Sequence, residues 1–306
     1  MARLLRAGRR YLTEPDYRFL IHAQLGLHDA MPDEAYLRRK YRAVMGREPD
    51  LDNPRTFNEK LQWLKLYDRR PEYTMMADKV RVKDFVASKI GAEHIIPTLG
   101  VWEDPDDIDF AALPERFVLK CNHNSGLGLC ICRDKSKLDI RKTKAELRKG
   151  LRQDFYLTSR EWPYKDIPRR ILAEQYMEDA KKGELTDYKF FLFNGEVKAL
   201  FVATERQSAN ETKFDFFDAD YVHLPFVNGH PNATRCPEKP VCFEEMKTVA
   251  RILGQGIPHV RVDLYEVDGQ VYFGEMTFTH WSGMVPFEPE EWDYIFGDWL
   301  TLPEMS

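Results

Sequence analysis

From residue 96 onward the sequence consists mostly of short runs of strand-forming residues, and this pattern limits the fold more than any other feature. The runs are RFVLKCN, LCICR, RRILAEQYM, DYKFFLF, EVKALFVA, KFDFF, HVRVDLYE and QVYFGEMTF. Asn194-Gly195, between the fourth and fifth runs, is a strong signal for a two-residue hairpin turn. Helical patterns intervene around residues 142–153 and 243–254. Hairpin strands separated by helices predict an α+β fold and not a βαβ sheet.

The preceding part of the chain, residues 15–95, has helical patterns instead. Thr56 and Glu59 have the spacing of a capping box, in which each side chain binds a free backbone N–H at the start of a helix. A further helix is expected over ADKVRVKDFVASKIG, with Gly91 at its end. The change from helical to β-like patterns predicts a boundary near residues 95–105.

The composition is that of a soluble globular protein, with 43% hydrophobic and 31% charged residues among 306. The net charge of −5 gives no support for a nucleic-acid partner. No apolar run is long enough to span a bilayer, and MARLLRAGRRYL lacks the apolar core of a secretory signal. We favour a solvated leading segment there over a basic helix that touches an anionic membrane. The five cysteines include no pair of CxxC elements, which argues against structural zinc and favours buried thiols in the reducing cytoplasm.

Two carboxylates occur inside strand-like runs, Asp263 in HVRVDLYE and Glu275 in QVYFGEMTF. Because a strand alternates its faces, Arg261 and Asp263 share one face. Whether Glu275 joins them depends on the turn between the strands. A two-residue turn at Asp268-Gly269 puts the two acids on opposite faces, whereas a three-residue loop over 267–269 makes them diagonal neighbours on one face.

Two carboxylates on one face repel each other unless a cation or a proton intervenes. Oxygen ligands of this kind suit Mg²⁺, particularly when a bound phosphate completes the coordination shell. The alternative is that Arg261 only pairs with Glu275 while Asp263 faces water, and the hairpin by itself favours that alternative.

Polar residues also accompany other strands. Lys120 ends an apolar run and precedes a glycine-containing loop, NHNSGLG, whose backbone N–H groups can hold phosphate oxygens. Glu174 and Gln175 end the run ILAEQ, and Asp187 and Lys189 share a face of the next run. Each feature alone is explained equally well by a turn, a strand end or a surface salt bridge, and the same holds for Lys79 in Ala77-Asp78-Lys79 at the start of a predicted helix.

The order of these pieces is more specific than any one of them. It runs from ADK through a VLK strand with a glycine loop, then AEQY and DYKF, to acids separated by 275 − 263 = 12 positions. This order resembles the ATP-grasp superfamily. NPRTFNEKLQWLKLYDRRPEY, IIPTLGVW, LPERFVLKCNHNSG and GEMTF resemble its TupA-like branch, which is associated with bacterial surface-polysaccharide and teichuronopeptide synthesis. The resemblance covers roughly residues 35–300.

The resemblance implies a helical N-terminal region, residues 1–75, and an ATP-grasp domain, residues 76–306. Two α+β subdomains at about 100–170 and 171–300, each with an antiparallel sheet, would hold ATP between them. Carried over by position, the ATP contacts would be Lys79, Lys120, Asn122, His123, Ser125, Gly126, Glu174, Gln175, Tyr176 and Asp187. Asp263 and Glu275 would bind Mg²⁺, with Thr277 where most ATP-grasp enzymes have asparagine. Lys189 and Arg261 would stabilise the transferred phosphate.

The implied activity is that of an ATP-dependent carboxylate–amine ligase that forms an acylphosphate. The implied substrates are a uronic-acid carboxylate and an amino acid or amine, with His280, Trp281 and Ser282 as acceptor-site candidates. A peripheral contact with membrane-associated polysaccharide machinery is also expected. Three alternatives stay open: a glycosyltransferase that binds a metal–nucleotide sugar through Asp218-Ala219-Asp220, an ATP-grasp kinase that phosphorylates a hydroxyl, and a nucleotide-binding module without catalysis.

Overall fold

The computed structural model describes residues 2–180, 185–205 and 211–304, with residues 2–6 described by their backbone alone. The α-helices are α1 (Ala2–Thr13), α2 (Pro15–Gln24), α3 (Asp33–Met45), α4 (Phe57–Tyr67), α5 (Glu72–Ala77), α6 (Val82–Ile90), α7 (Ile140–Arg152), α8 (Phe155–Ser159), α9 (Phe243–Gly254) and α10 (Glu291–Trp299). The strands are β1 (Thr98–Trp102), β2 (Phe117–Cys121), β3 (Cys130–Cys132), β4 (Ile171–Gln175), β5 (Asp187–Phe193), β6 (Glu196–Thr204), β7 (Lys213–Asp218), β8 (Val227–Asn228), β9 (His259–Val267), β10 (Gln270–Thr277) and β11 (Phe287–Glu288).

The strands form two main antiparallel sheets. The small sheet has the order β1-β4-β2-β3, and the large sheet has the order β10-β9-β5-β6-β7. A separate short pair joins β8 and β11. Helices precede and flank both sheets, so the predicted α+β class with antiparallel sheets is confirmed.

The large sheet is covered on both faces, which explains why β5 is buried along its whole length. On one face, Phe190 and Leu192 belong to a core that includes residues of α6 and α9. On the other face, Phe191 and Phe193 pack with residues of α4 and α10. A strand with both faces buried reads as a continuous apolar run, as FFLF does.

Helix α4 begins with the predicted capping box. The Thr56 side chain accepts the N–H of Glu59, and the Glu59 carboxylate accepts the N–H of Thr56. Phe57, the first residue of the helix, packs edge-on against Phe191 and Phe193 of the large sheet. Residues 57–67 are thus part of the core of the large sheet, although the sequence placed them in a separate region that ends at residue 75.

Helix α6 begins at Val82 and ends at Ile90, with Gly91 following it as predicted. The sequence placed its start earlier, at Ala77. Instead, Ala77 ends α5, and the Asp78 carboxylate accepts the N–H of Val80 in the turn between the helices. Lys79 therefore lies in the turn between α5 and α6. From there its side chain reaches the loop after β2 in the small sheet.

The predicted turn at Asn194-Gly195 is present, and of the two alternatives for the second hairpin the structure has the two-residue turn at Asp268-Gly269. Phe193 pairs with Glu196 around Asn194-Gly195, and Val267 pairs with Gln270 around Asp268-Gly269. All four turn residues have positive φ, which is the type I′ geometry that suits two-residue hairpins.

The hairpin of β9 and β10 contains a β-bulge that the sequence analysis did not consider. Phe273 pairs with Leu264, but Glu275 then pairs with Asp263, so Gly274 is the extra residue. A regular ladder from this two-residue turn would put Gly274 opposite Asp263 and turn Glu275 to the other face. The bulge moves Glu275 to the face that carries Asp263.

We expect the substitution Gly274→Ala to destabilise the protein by about 1–3 kcal/mol. A Cβ atom at this position would lie 2.9 Å from the Asp263 carbonyl oxygen and 2.9 Å from the Tyr265 ring, so backbone must move to admit it. Urea unfolding measures the effect, and Gly8→Ala is the matched control because its Cβ would meet no atom within 4 Å. Equal stability of Gly274→Ala and the wild type would contradict this account of the bulge.

Candidate functional site

Three neighbouring strands of the large sheet each contribute one charged residue to a single row. Lys189 on β5 lies opposite Asp263 on β9, and Asp263 lies opposite Glu275 on β10. Because residues directly opposite each other share a face, the three side chains lie on one side of the sheet. The Lys189 ammonium binds the Asp263 carboxylate and also the Asp187 carboxylate at 2.8 Å.

Arg261 and Thr277 form the adjacent row. The Arg261 guanidinium donates two hydrogen bonds to Asp263, at 2.7 and 2.8 Å, and one to the Thr277 hydroxyl at 3.1 Å. A weaker contact of 3.4 Å reaches Glu275. Arg261 also donates to Nδ1 of His280 at 3.0 Å. Burial and the charge of Arg261 lower the pKa of His280, which is therefore neutral with its proton on Nε2.

The two acids have opposite electrostatic environments. Burial raises the pKa of Asp263, and the charges of Arg261 and Lys189 oppose that shift. Burial also disfavours the charged form of Glu275, but the charges of Lys79, Lys189 and Arg261 outweigh it and lower its pKa. Asp263 is fully buried, whereas the Glu275 side chain is 31% exposed. The alternative in which Asp263 faces water is wrong, and Glu275 is the acid of the two that meets solvent.

Carboxylate and hydroxyl oxygens are of the kind that binds Mg²⁺ together with substrate phosphates. Both oxygens of the buried Asp263 are engaged by Arg261 and Lys189, whereas Glu275 is partly exposed beside Thr277. Both carboxylates lie on the same face of the sheet, and the Thr277 hydroxyl lies 3.4 Å from the Glu275 carboxylate. In the part of the chain that the structure describes, three or more His, Cys, Asp or Glu side chains are nowhere grouped as a metal site. With these residues as its protein ligands, a metal here would be completed by water or substrate oxygens.

A cavity of about 400 Å³ lies between the two sheets. Its lining includes three lysines: Lys120 from β2, Lys189 from β5 and Lys79 from the turn before α6. The Lys79 ammonium donates to the Asn124 carbonyl at 2.9 Å and lies 3.3 Å from the Glu275 carboxylate. Three ammonium groups around one cavity favour a ligand with several negative charges.

Glu174 on β4 holds two lysines at this cavity. Its carboxylate oxygens lie 2.5 Å from the Lys120 ammonium and 2.7 Å from that of Lys83. Burial disfavours the charge of Glu174, but the two lysines outweigh burial and lower its pKa. The sequence indicated Glu174 as an adenine or ribose contact, whereas here its carboxylate is engaged by the lysines. Lys83 carried no sequence signal, because nothing in the helix pattern shows that it reaches a strand end.

Part of the same cavity wall is apolar. Gln175 and Tyr176 line it where they were expected, and Asp187 lines it as well. The apolar lining residues come from strands of both sheets and from the segments next to these strands: Ile96, Val118, Leu127, Leu129, Ile131, Met177, Leu185 and Ala203. A cavity with an apolar wall and a cationic wall suits a ligand with a flat ring and a polyanionic tail.

The glycine-containing loop after β2 divides into two parts. Asn122 and His123 are buried, and their side chains bond to neighbouring elements outside the cavity lining. The next three residues do line the cavity: Asn124, Ser125 and Gly126. The sequence indicated Asn122 and His123 as phosphate contacts, but the structure uses their side chains to anchor the loop and presents Ser125 and Gly126 to the cavity.

A second cavity, of about 430 Å³, adjoins the first. Ser125, Lys189 and Glu275 line both cavities, so the two meet at the Lys189–Glu275 row. The other lining residues are Phe155, Ser159, Glu161, Tyr164, Phe201, Phe214, Arg261, Thr277, Thr279, His280, Trp281 and Ser282. The predicted acceptor-site residues at positions 280–282 are all in this lining.

The turn at 280–283 has an unusual backbone that helix α4 holds in place. Trp281 and Ser282 have φ values of 48° and 57°, a region that residues with side chains rarely adopt. The Gln62 side chain donates to the carbonyls of Ser282 and Gly283 at 3.0 and 2.8 Å. Lys65 donates to the Ser282 carbonyl at 2.7 Å. The sequence did not show that this N-terminal helix supports the second cavity.

The Asp218-Ala219-Asp220 segment, the sequence feature behind the glycosyltransferase alternative, forms a turn. Asp218 ends β7, and its carboxylate accepts the N–H groups of Asp220 and Val222. Neither acid lines the two cavities. The spacing of these acids is therefore explained by local turn geometry.

Several solved structures are similar to this chain at low sequence identity. The D-alanine–D-alanine ligase from Bacillus anthracis complexed with ATP matches with a TM-score of 0.40 and 14% identity, covering 67% of this chain and 54% of that one. D-cycloserine synthetase DcsG matches with a TM-score of 0.41 and 17% identity, covering 75% and 70%. The ATP-grasp ligase PsnB, complexed with a phosphomimetic variant of its minimal precursor, Mg and ADP, matches with a TM-score of 0.41 and 10% identity, covering 84% and 65%. This chain thus spans little more than half of the Bacillus anthracis ligase.

Two searches give negative results. Among curated proteins, none matches this chain. Within the described residues, none of the helices combines the length and the apolar character needed to cross a membrane.

The family model described as TupA-like ATPgrasp matches residues 59–301. The matched range begins inside α4, ends after α10 and includes both sheets and every residue that lines the two adjoining cavities. This covers well over half of the 306 residues. The chain belongs to the TupA-like ATP-grasp family.

Proposed function

We propose that this protein is an ATP-dependent carboxylate–amine ligase that works through an acylphosphate and uses ATP with Mg²⁺. Membership in the ATP-grasp family supports the use of ATP and the class of reaction. The observation that carries the proposal is the junction of the two cavities, where Lys189 and Glu275 line both. The first cavity receives the nucleotide, the second receives the carboxylate substrate, and phosphoryl transfer takes place between them.

In the nucleotide cavity, Lys79 and Lys120 bind the phosphates of ATP. Both ammonium groups are held near the cavity by oxygen atoms, Lys79 by the Asn124 carbonyl and Lys120 by Glu174. The backbone at Ser125 and Gly126 closes over the phosphates, and the adenine ring lies between the apolar wall and the Gln175–Tyr176 segment. Asp187 acts through Lys189, whose ammonium it holds at 2.8 Å.

Asp263, Glu275 and Thr277 would hold Mg²⁺, which supplies charge neutralisation for the phosphates when it is bound. The protein provides the remaining cations at the junction. Lys189 and Arg261 both line the second cavity, and both are oriented by Asp263. Because their geometry is set before substrate arrives, they stabilise charge that develops on the transferred phosphate without further reorganisation.

The reaction divides into two steps. A carboxylate oxygen of the substrate attacks the γ-phosphorus of ATP, and ADP leaves with the electron pair of the broken P–O bond. The acylphosphate carbon is then attacked by an amine nitrogen, a C–N bond forms, and inorganic phosphate leaves. Phosphorylation is needed because a free carboxylate has only oxide as its leaving group. Enclosure by the two cavities limits hydrolysis of the acylphosphate by water.

The second cavity supports a uronic acid as the carboxylate substrate. Its aromatic residues include Trp281, whose side chain is stacked with Phe214 and is 41% exposed. Aromatic faces of this kind stack on sugar rings, and Arg261 and Lys189 offer positive charge to a carboxylate. A role in surface-polysaccharide biosynthesis, a cytoplasmic location and a peripheral contact with membrane-associated machinery follow from this assignment and stay predictions.

We expect ADP release to depend on both Mg²⁺ and a uronic acid, and we expect added hydroxylamine to yield a hydroxamate. Hydroxylamine is a small nucleophile that traps acylphosphates directly. The assay is a panel of free and nucleotide-linked uronic acids, with ADP measured enzymatically and hydroxamates identified by mass spectrometry. ADP formed with neutral sugars and no hydroxamate would identify a kinase instead, and binding of sugar nucleotides without ATP turnover would favour a glycosyltransferase.

A further inference from the structure

The second cavity contains a buried carboxylate that phosphoryl transfer does not use. Glu161 follows α8, is 6% exposed and lines this cavity together with Arg261. Its two oxygens accept hydrogen bonds from the hydroxyls of Thr279 and Ser282. Across residues 2–180, 185–205 and 211–304, no Lys or Arg forms an ion pair with it.

The buried Lys65 and the half-buried Lys40 lie near Glu161 but donate their hydrogen bonds elsewhere. Lys65 donates to the Ser282 carbonyl, and Lys40 donates to the Thr158 carbonyl. Burial lowers the pKa of Lys65 to about 7 and that of Lys40 to about 8, and the negative charge of Glu161 opposes both shifts. A buried carboxylate with only hydroxyl partners is costly, and a cationic ligand group would remove that cost.

The position of Glu161 within the cavity suits the second step of the ligation. Tyr164 lines the same cavity as Glu161 and Arg261. The lining of this cavity thus carries the cations Arg261 and Lys189 and, besides Glu275, the carboxylate of Glu161, which has only hydroxyl partners among the described residues. A carboxylate substrate and an ammonium group can therefore both be attracted into this one cavity.

We propose that Glu161 binds the ammonium group of the amine substrate and accepts the proton that its nitrogen must lose. This inference rests on the proposed ligase function. Primary amines are protonated at neutral pH, and the nitrogen needs a free electron pair to attack the acylphosphate. Transfer of one proton from the ammonium to Glu161 provides that pair. The C–N bond then forms, the bond between the carbonyl carbon and the phosphate oxygen breaks, and inorganic phosphate leaves.

The proposal defines the class of the second substrate as a primary amine in its cationic form. Thr279 and Ser282 hold both oxygens of Glu161 and so position it toward the cavity. The strained turn that carries Ser282 is in turn held by α4. The amine side of the cavity is therefore held in place by hydrogen bonds to Glu161 and to the turn that carries Ser282.

The test compares two nucleophiles in Glu161→Gln and in the wild type. Hydroxylamine is mostly uncharged at neutral pH, so hydroxamate formation should be unchanged in the variant. Amide formation with L-alanine, L-lysine, L-glutamate and ethanolamine should show a KM for the amine that rises about 10- to 100-fold, as expected for loss of one charged hydrogen bond. The kcat for these amines should fall as well, because glutamine cannot accept the proton. Glu244→Gln, whose side chain is 73% exposed, is the matched control. An unchanged amine KM, or equal loss with both nucleophiles, would overturn the proposal.

A binding measurement tests the same idea without turnover. The indole N–H signal of Trp281, which lines this cavity, is followed by NMR while the same amines are added in the presence of a non-hydrolysable ATP analogue. We expect saturable shifts in the wild type that Glu161→Gln loses. If the wild type makes no hydroxamate but this Glu161-dependent binding persists, the ligase assignment fails and the amine site stands. If none of the amines gives a Glu161-dependent shift, the amine site is refuted.

Discussion

Replacing Glu275 by glutamine is expected to reduce turnover by about 10³-fold or more while the protein stays folded. Glu275 is the ionised, half-buried acid at the junction of the two cavities. Glutamine keeps the shape but removes the negative charge, so the proposed Mg²⁺ site loses a ligand. The substitution also leaves Lys79, Lys189 and Arg261 without a negative charge that all three now interact with.

The measurement is the rate of ADP release at saturating ATP, Mg²⁺ and uronic acid, with circular dichroism and the melting temperature as checks on folding. Glu196→Gln, on β6 of the same sheet and with a side chain that is 61% exposed, is the control and should keep full activity. Full Mg²⁺-dependent activity in Glu275→Gln would show that the assignment of the metal site is wrong.

Replacing Arg261 by methionine is expected to destabilise the protein by about 3–5 kcal/mol. Arg261 donates two hydrogen bonds to Asp263, which is fully buried. Methionine fills similar space but leaves the carboxylate with Lys189 as its remaining direct cation. The loss is larger than for a surface pair because water cannot replace the missing charge.

The pH dependence of this effect gives a second readout. Burial already raises the pKa of Asp263, and removal of Arg261 takes away one of the charges that oppose the shift. The folded variant should therefore bind a proton at Asp263 more readily than the unfolded chain does, so its deficit relative to the wild type should shrink as pH falls from 8 to 5. Urea unfolding at several pH values measures this, and Arg251→Met, which removes an exposed ion pair, should cost less than about 1 kcal/mol. A deficit that is independent of pH would contradict the role given to Asp263.

Much of the architecture was predictable because local signals and tertiary structure agree. The Asn194-Gly195 turn, the capping box at Thr56 and the helices around 142–153 and 243–254 all depend on contacts within a few residues, whereas the length of the second hairpin turn stayed open. The α+β class followed from them. The start of α6 was placed too early, because the Asp78 side chain competes for the backbone N–H groups that a helix would use.

The site was predictable in part, and its missing pieces depend on contacts between distant segments. Lys79, Lys120, Lys189 and Glu275 line the cavity as the resemblance implied. Lys83 and Glu161 had no sequence signal, because neither lies in a motif and each meets its partners only after folding. The burial of Asn122 and His123 was not visible either, since a polar loop reads the same whether its side chains face a ligand or the protein.

The sequence predicted α4 as a helix but did not show that it packs on one face of the large sheet. Its apolar residues predicted a helix with one buried face but did not show which surface it covers. Packing of Phe57 against β5, and of Gln62 and Lys65 against the 280–283 turn, joins this helix to the second cavity. A division of the chain at residue 75 would separate the acceptor side of the proposed site from one of its supports.

Because of the bulge at Gly274, the two acids of the proposed metal site share a face although the number of positions between them is even. Residues that face each other across a hairpin with a two-residue turn are separated by an odd number of positions, yet 275 − 263 = 12 is even. One strand of the hairpin must therefore contain an extra residue in a bulge, and here that residue is Gly274. Among relatives that keep the two-residue turn, acids 11 positions apart need no extra residue, whereas acids 12 positions apart do. In that group, a spacing of 12 without a bulge between the acid and the turn would carry the two acids on different sides of the sheet.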